Sequence, residues 1–226
     1  LFSPEFLRGS WAQEALLVLA LATVFTGSML ALRTRQLKRR LAYSTVSQVS
    51  YALFGLLLLT PTGLTGALLQ IVFHALAKDT LFLAAGAIIY STNFTTVDQL
   101  RGIGRRMPVT TWCFTLSALS LIGIPPMSGF VSKWYLAEGA LGAGGPLAGW
   151  GGVGVLILSA LLTAAYLLPI VSAGFFPGKD FLAEPHEVGR QMTVPMAAFA
   201  GAAALLGLFP GGVLRAAGNI AELIFP

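Results

Sequence analysis

Residues Leu64–Tyr90 read LTGALLQIVFHALAKDTLFLAAGAIIY, and this stretch decides the fold. No proline interrupts it. As a helix it would rise about 40 Å at 1.5 Å per residue. The hydrocarbon core of a bilayer is roughly 30 Å thick, so the run can span it with some tilt. His74, Lys78 and Asp79 lie near its centre.

Working outward, further apolar runs flank this one. Glu14–Leu32 ends at the basic cluster Arg33, Arg35, Lys38, Arg39 and Arg40. Leu41–Thr60 is stopped by Pro61 and Gly63. After a polar loop at Ser91–Pro108 come Val109–Ile124, ended by Pro125-Pro126, and the short Ser128–Leu141. Gly142–Gly154 holds seven Gly and one Pro and reads as a turn. Val153–Phe176 and Thr193–Phe209 are the last two runs, and Gly211–Pro226 is a tail placed at the membrane interface. The fold class is therefore all-α: a polytopic transmembrane bundle of about seven spans, with one broken helix around Pro125-Pro126. It forms a single membrane domain over 1–226. Its parts are three helices in 14–90, a loop at 91–108, the remaining helices in 109–210 and the tail at 211–226.

Composition agrees. Of 226 residues, 56% are hydrophobic and 10% charged, against about 25% charged in soluble domains. That excludes a soluble enzyme, a nucleic-acid binder and a disordered chain. One cysteine, Cys113, and two histidines leave no disulfide framework and no zinc set. There is no Gly-rich nucleotide loop, cysteine cluster or haem pair, so no cofactor is expected and redox chemistry would belong to partner subunits. No signal peptide precedes the first run. The chain starts on Leu1 and reads as the C-terminal fragment of a longer subunit.

With seven crossings, both arginine-rich loops and the tail share one side. That side carries nine Lys and Arg against three on the other, Arg8, Lys179 and Arg190. The asymmetry makes the Arg-rich side cytoplasmic and the loop at Glu184 external, in the cell (inner) membrane of a prokaryote.

Lys78 and Lys133 lie inside apolar runs. A mid-membrane lysine costs roughly 2.5–3.5 kcal/mol on insertion scales and faces a bundle interior or a wet path. Lys78 is about 20 Å from either end of its run, too deep to snorkel. Lys133 lies near a helix start, where snorkelling is the competing explanation. His74 precedes Lys78 by four residues and shares its helix face, so the pair can relay a proton. Asp79 points about 100° away from Lys78. Glu138 lies beyond Lys133, towards the interface. Pro125-Pro126 either interrupt a helix at membrane depth, which is tolerated only inside protein or beside a cavity, or form an ordinary loop between two spans. Tyr43, Ser44, Thr45, Ser47, Gln48 and Ser50 form a polar opening to the second run, with Lys38 at its start. Ser128, Ser132 and Thr80 are candidates to bridge Lys78 and Lys133 along a hydrated line.

Three blocks then resemble a known family. KRRLAYSTVSQ at 38–48, HALAK at 74–78 with LFL at 81–83 and Gly86, and LSLIGIPP at 119–126 with GFVSKWYL at 129–136 are similar to the antiporter-like subunits of respiratory complex I. SKWYL and LRGIGRRMP resemble most the D-type subunit of multi-subunit sodium/proton antiporters. The resemblance implies part of an inverted-repeat transporter fold, with Lys38, Lys78, Lys133 and His74 passing protons. The aspartate usual two residues before the first lysine is Gln36 here. It implies a proton- or cation/proton-translocating subunit working with other membrane subunits, protons and Na+. A membrane-arm subunit of an NADH-quinone oxidoreductase or a membrane-bound hydrogenase is the alternative. A pure scaffold would have no need of deep ionisable groups. No catalytic chemistry is expected of the chain itself.

Overall fold

The computed structural model describes residues 4–176 and 186–225. After one turn, α1 (Pro4–Leu7), come α2 (Trp11–Arg33), α3 (Leu37–Leu57) and α4 (Pro61–Thr92). A 3-10 turn at Val97–Leu100 and α5 (Ile103–Arg106) lead into α6 (Pro108–Ile122) and α7 (Ser128–Ala143). A π-helical turn, Gly145–Gly151, opens α8 (Gly152–Phe175), followed by α9 (Arg190–Leu208) and α10 (Gly211–Ile224). Trp11–Arg33, Pro61–Thr92, Gly145–Phe175 and Arg190–Leu208 are long and apolar enough to cross a membrane.

Pro61 and Gly63 begin α4; they do not merely stop the preceding run. Thr60 is the N-cap, its hydroxyl accepting from Gly63 N at 3.1 Å, with Pro61 in the first turn. Proline is at home there because its missing N–H would be unpaired anyway. Asn93, with φ of 59°, closes the other end.

α3 is inside-out. Ser44, Ser47 and Gln48 are fully buried, while Val46, Val49, Leu53 and Leu56 are exposed. A soluble helix shows the reverse pattern. Here the apolar face meets lipid or neighbouring protein and the polar face meets α2, α4 and α8.

The contacts along α4 fix how the later helices cross. α6 starts near the far end of α4, where the Arg106 guanidinium donates to Ser91 O at 3.3 Å. Its last turn reaches only mid-length, where Ser120 and Leu121 line a cavity with Phe73, His74 and Ala77. α7 continues in the same direction. Ser132 donates to Gln70 at 2.7 Å, Gly66 meets the Leu136 backbone, and Gly139 meets Gly63. A Cβ on Gly139 would lie 2.5 Å from Gly63 N, so a glycine at 139 is needed for this close approach. α6 and α7 are thus two halves of one broken crossing.

α9 and α10 make a second. Glu187, just before α9, accepts from Val109 N and Thr110 N at the start of α6. Gly207 abuts the backbone of Pro126–Ser128 at the first break. α10 then runs back along α4, Ala217 packing with Leu69 and Phe73, and Ala221 with Leu64. The tail expected at the interface therefore lies beside a membrane-spanning helix.

Among the described residues, counting each broken pair as one crossing gives six, where the expectation is about seven. The expected count treats the halves on either side of Pro125-Pro126 as separate spans. A strand-like bridge joins Gln36 to Thr96, holding both Arg-rich loops on one face as expected. The same face takes His186, whose N–H donates to Arg106 O, and so also takes Arg190. It loses Arg215, which sits in the half of the bundle towards the opposite face. The exchange leaves nine Lys and Arg on this face among the described residues, with Arg8 and Arg215 opposite. Glu184 and Lys179 lie outside the described residues, but the segment after them does not emerge opposite the Arg-rich loops.

Six crossings predict a labelling pattern. In a Cys113→Ala background, Arg101→Cys and His186→Cys should react with an impermeant thiol reagent from the same side. Gly144→Cys should react from the other side. Labelling of positions 101 and 144 together from one side would restore seven spans.

Candidate functional site

The break in the α6–α7 crossing creates the site. A helix end leaves four backbone carbonyls without intrahelical donors. At membrane depth each must find another. Gly123, with φ of 92°, turns back so that its N–H donates to Leu119 O and Ser120 O, and Ile124 N also donates to Leu119 O. The last two carbonyls are taken by a side chain. Lys133 Nζ donates to Leu121 O at 2.7 Å and Ile122 O at 2.8 Å. Its ammonium also lies 5.3 Å from the centre of the Tyr51 ring, within cation–π range. The Pro125-Pro126 peptide is cis.

Lys78 is buried on the inner face of α4. Nζ donates to Leu41 O and to Ser44 Oγ, both at 2.8 Å. Ser44 also receives the Tyr166 hydroxyl at 2.6 Å, which reaches Thr163 Oγ1 at 3.3 Å. Beyond that, Ser28, Ser47 and Ser159 form a buried hydroxyl triangle with edges of 2.7, 2.8 and 3.3 Å. Among the described residues neither ammonium meets a carboxylate.

His74 lies one helical turn before Lys78 on α4. With Gln48, Gln70, Ser120 and Lys133 it lines a cavity of about 10 Å³, the size at which one water begins to fit. Gln70 donates to Gln48 Oε1 at 3.0 Å and accepts from Ser132. Gln48 Nε2 and His74 Nδ1 are buried without a protein partner. A single water there would accept from one and donate to the other.

The structure brings together Lys78, His74, Lys133, Gln48, Ser128 and Ser132, the last two through Ser120 and Gln70. It does not bring in the others. Lys38 is exposed in the first turn of α3, and Tyr43 faces outward. Thr80 bonds to Leu76 O in its own helix. Asp79 and Glu138 are exposed on the outer faces of α4 and α7. Gln70, Tyr51, Ser120 and Tyr166 are absent from the sequence candidates. The spacing of four through Gln70, His74 and Lys78 marks one helix face and would have found the first. Arg40, from the basic cluster after the first apolar run, is buried, donating to Tyr166 O at 2.9 Å and Thr34 O at 2.8 Å.

A membrane bundle whose broken helix is capped by a buried lysine, with a second lysine and a histidine beside it, defines the class. A profile of the NADH:quinone oxidoreductase/Mrp antiporter transmembrane family matches residues 1–170, and the chain belongs to that family. It is 42% identical over 160 residues to the N-type subunit of the NADH-quinone oxidoreductase of Desulforudis audaxviator, covering 71% of this chain and 31% of that protein. It is 30% identical over 200 residues to the D-type subunit of the Na(+)/H(+) antiporter of Bacillus subtilis, covering 88% and 40%. The chain therefore spans well under half the length of these relatives. Among solved structures it superposes on a chain of the Mrp complex from Dietzia sp. DQ12-45-1b with TM-score 0.88 and 26% identity, covering 97% of this chain and 48% of that one. Respiratory complex I from Thermus thermophilus gives 0.83 and 26%, covering 98% and 45%. D-type relatives are one of several kinds, alongside N- and L-type subunits.

The glutamine pair gives a stability test. Gln70→Leu keeps volume but strips Gln48 Oε1 of its donor and leaves the Ser132 hydroxyl only its 3.2 Å bond to Gly129 O. Unsatisfied buried groups cost about 1–3 kcal/mol each, so the thermal midpoint of the purified protein should fall clearly. An unchanged midpoint would mean that this contact is not formed.

Proposed function

We propose that the chain is the distal part of a proton-translocating subunit of a multi-subunit membrane complex, acting in cation/proton antiport. Protons pass between Lys78 and Lys133 through His74 and water held against Gln48. The observation that supports this is that Lys133 and His74 line one cavity, with buried Lys78 one helical turn beyond the histidine, and that among the described residues neither lysine meets a carboxylate. Each lysine is held by neutral acceptors, so each can lose a proton without breaking an ion pair. Lys38, at the exposed start of α3, would take up protons from the Arg-rich face. By the charge asymmetry that face is cytoplasmic and the membrane is the cell membrane. Na+ is the proposed counter-cation.

A second reading has its own support. The 42% identity is to one subunit of an NADH-quinone oxidoreductase, so the same path would serve a redox-driven proton pump whose electron chemistry lies on other subunits. The lysines play the same part in both.

Lys78 gives the cleaner test, because Lys133 also caps the helix. In the intact subunit, Lys78→Ala should lower proton transport by about a hundredfold or more, with insertion and assembly unchanged. Lys78→Arg should not restore it, since a guanidinium does not deprotonate near neutral pH. Near-normal transport by the alanine variant at normal expression would remove Lys78 from the path.

A further inference from the structure

Asp79 follows Lys78 in sequence but faces the other way. It lies 18 residues into the 32-residue α4 and is therefore close to mid-membrane. Its side chain is exposed and has no hydrogen bond or ion pair among the described residues. It opens onto a shallow recess shared with Phe82, Leu83 and Phe199 of α9. Val72 and Ala75 before it and Tyr90 after it are also exposed, at helical spacing on one face. Ala75, with Gly86 further along, allows a neighbouring backbone close to that face: a Cβ added to Gly86 would meet nothing within 4 Å.

We infer that this face of α4 docks a membrane-spanning helix of a partner subunit bearing a lysine or arginine at mid-membrane depth, which pairs with Asp79. The argument is charge complementarity. A carboxylate turned to hydrocarbon is strongly unfavourable, and such groups occur where another polar group meets them. Every cation at that depth in the described bundle is already engaged. Lys78 is committed to Leu41 O and Ser44 on the inner side, and Lys133 to the α6 carbonyls. The similar solved structures are multi-subunit membrane complexes, so an outward polar group has protein neighbours available. The inference concerns assembly and stands apart from the proton path.

The experiment uses the full-length subunit in its native complex. A photo-crosslinking amino acid in place of Asp79 identifies the neighbour by mass spectrometry. The expected adduct is to a different polypeptide, within about one helical turn of a basic residue. Asp79→Lys should then cut recovery of the assembled complex by about tenfold or more, with the subunit still inserted. Replacing the identified basic residue by Asp in that background should restore recovery. Asp79→Asn, which keeps the shape, should fall between the two. An adduct only to lipid, to this same chain or to a second copy of it would overturn the inference. So would wild-type assembly of Asp79→Lys.

Discussion

A helix interrupted in the middle of a bilayer must find donors for carbonyls that water cannot reach, and the rest of this site follows from how that is done. Gly123 and Ile124 supply donors for Leu119 and Ser120. Lys133 supplies them for Leu121 and Ile122 from one turn inside the next half-helix. Every carbonyl in the last turn of α6 then has a donor. The arrangement needs Gly129 as well, because a Cβ there would fall within 1.9 Å of Ser120 O. A neutral amine has two N–H groups, enough to keep both bonds, though charge-assisted bonds are the stronger. Lys133 can therefore change protonation state while still capping the helix. Alanine cannot cap it in either state.

The second lysine is held by a different device. α3 turns its serines and Gln48 inward, where lipid would leave them unpaired, and so supplies acceptors for Lys78 and hydroxyl partners for α8. Arg40 fastens the same region by donating to the Tyr166 carbonyl, while the Tyr166 hydroxyl reaches Ser44. The position of Lys78 thus depends on α2, α3, α4 and α8 together, which no single stretch of sequence describes.

What was legible follows from this. Long apolar runs, the deep lysines, the four-residue step from His74 to Lys78 and the proline break are local features, and a sequence displays them. The crossing count is not local. Val109–Ile124 and Ser128–Leu141 each read as a short span, and only their end-to-end contact with α4 makes them one. Pro61 is ambiguous for a related reason: the same residue can end one helix or occupy the first turn of the next. Lys38 and Arg40 sit in one basic cluster, yet two residues of helical rotation put one outside and the other under α8. Composition gives the cluster but not its rotation.

Asp79 and Lys78 show two solutions to one difficulty. Both carry charge at mid-membrane, adjacent on one helix. The ammonium turns inward and is satisfied by neutral oxygen atoms; the carboxylate turns outward and is left to its surroundings. Among the described residues the interior consequently holds cations only. His74 lies one turn before Lys78 on the same helix and lines the cavity that Lys133 also lines. In the proposed path, an acidic partner inside would fix both lysines as ammonium ions; keeping it outside leaves a proton free to move.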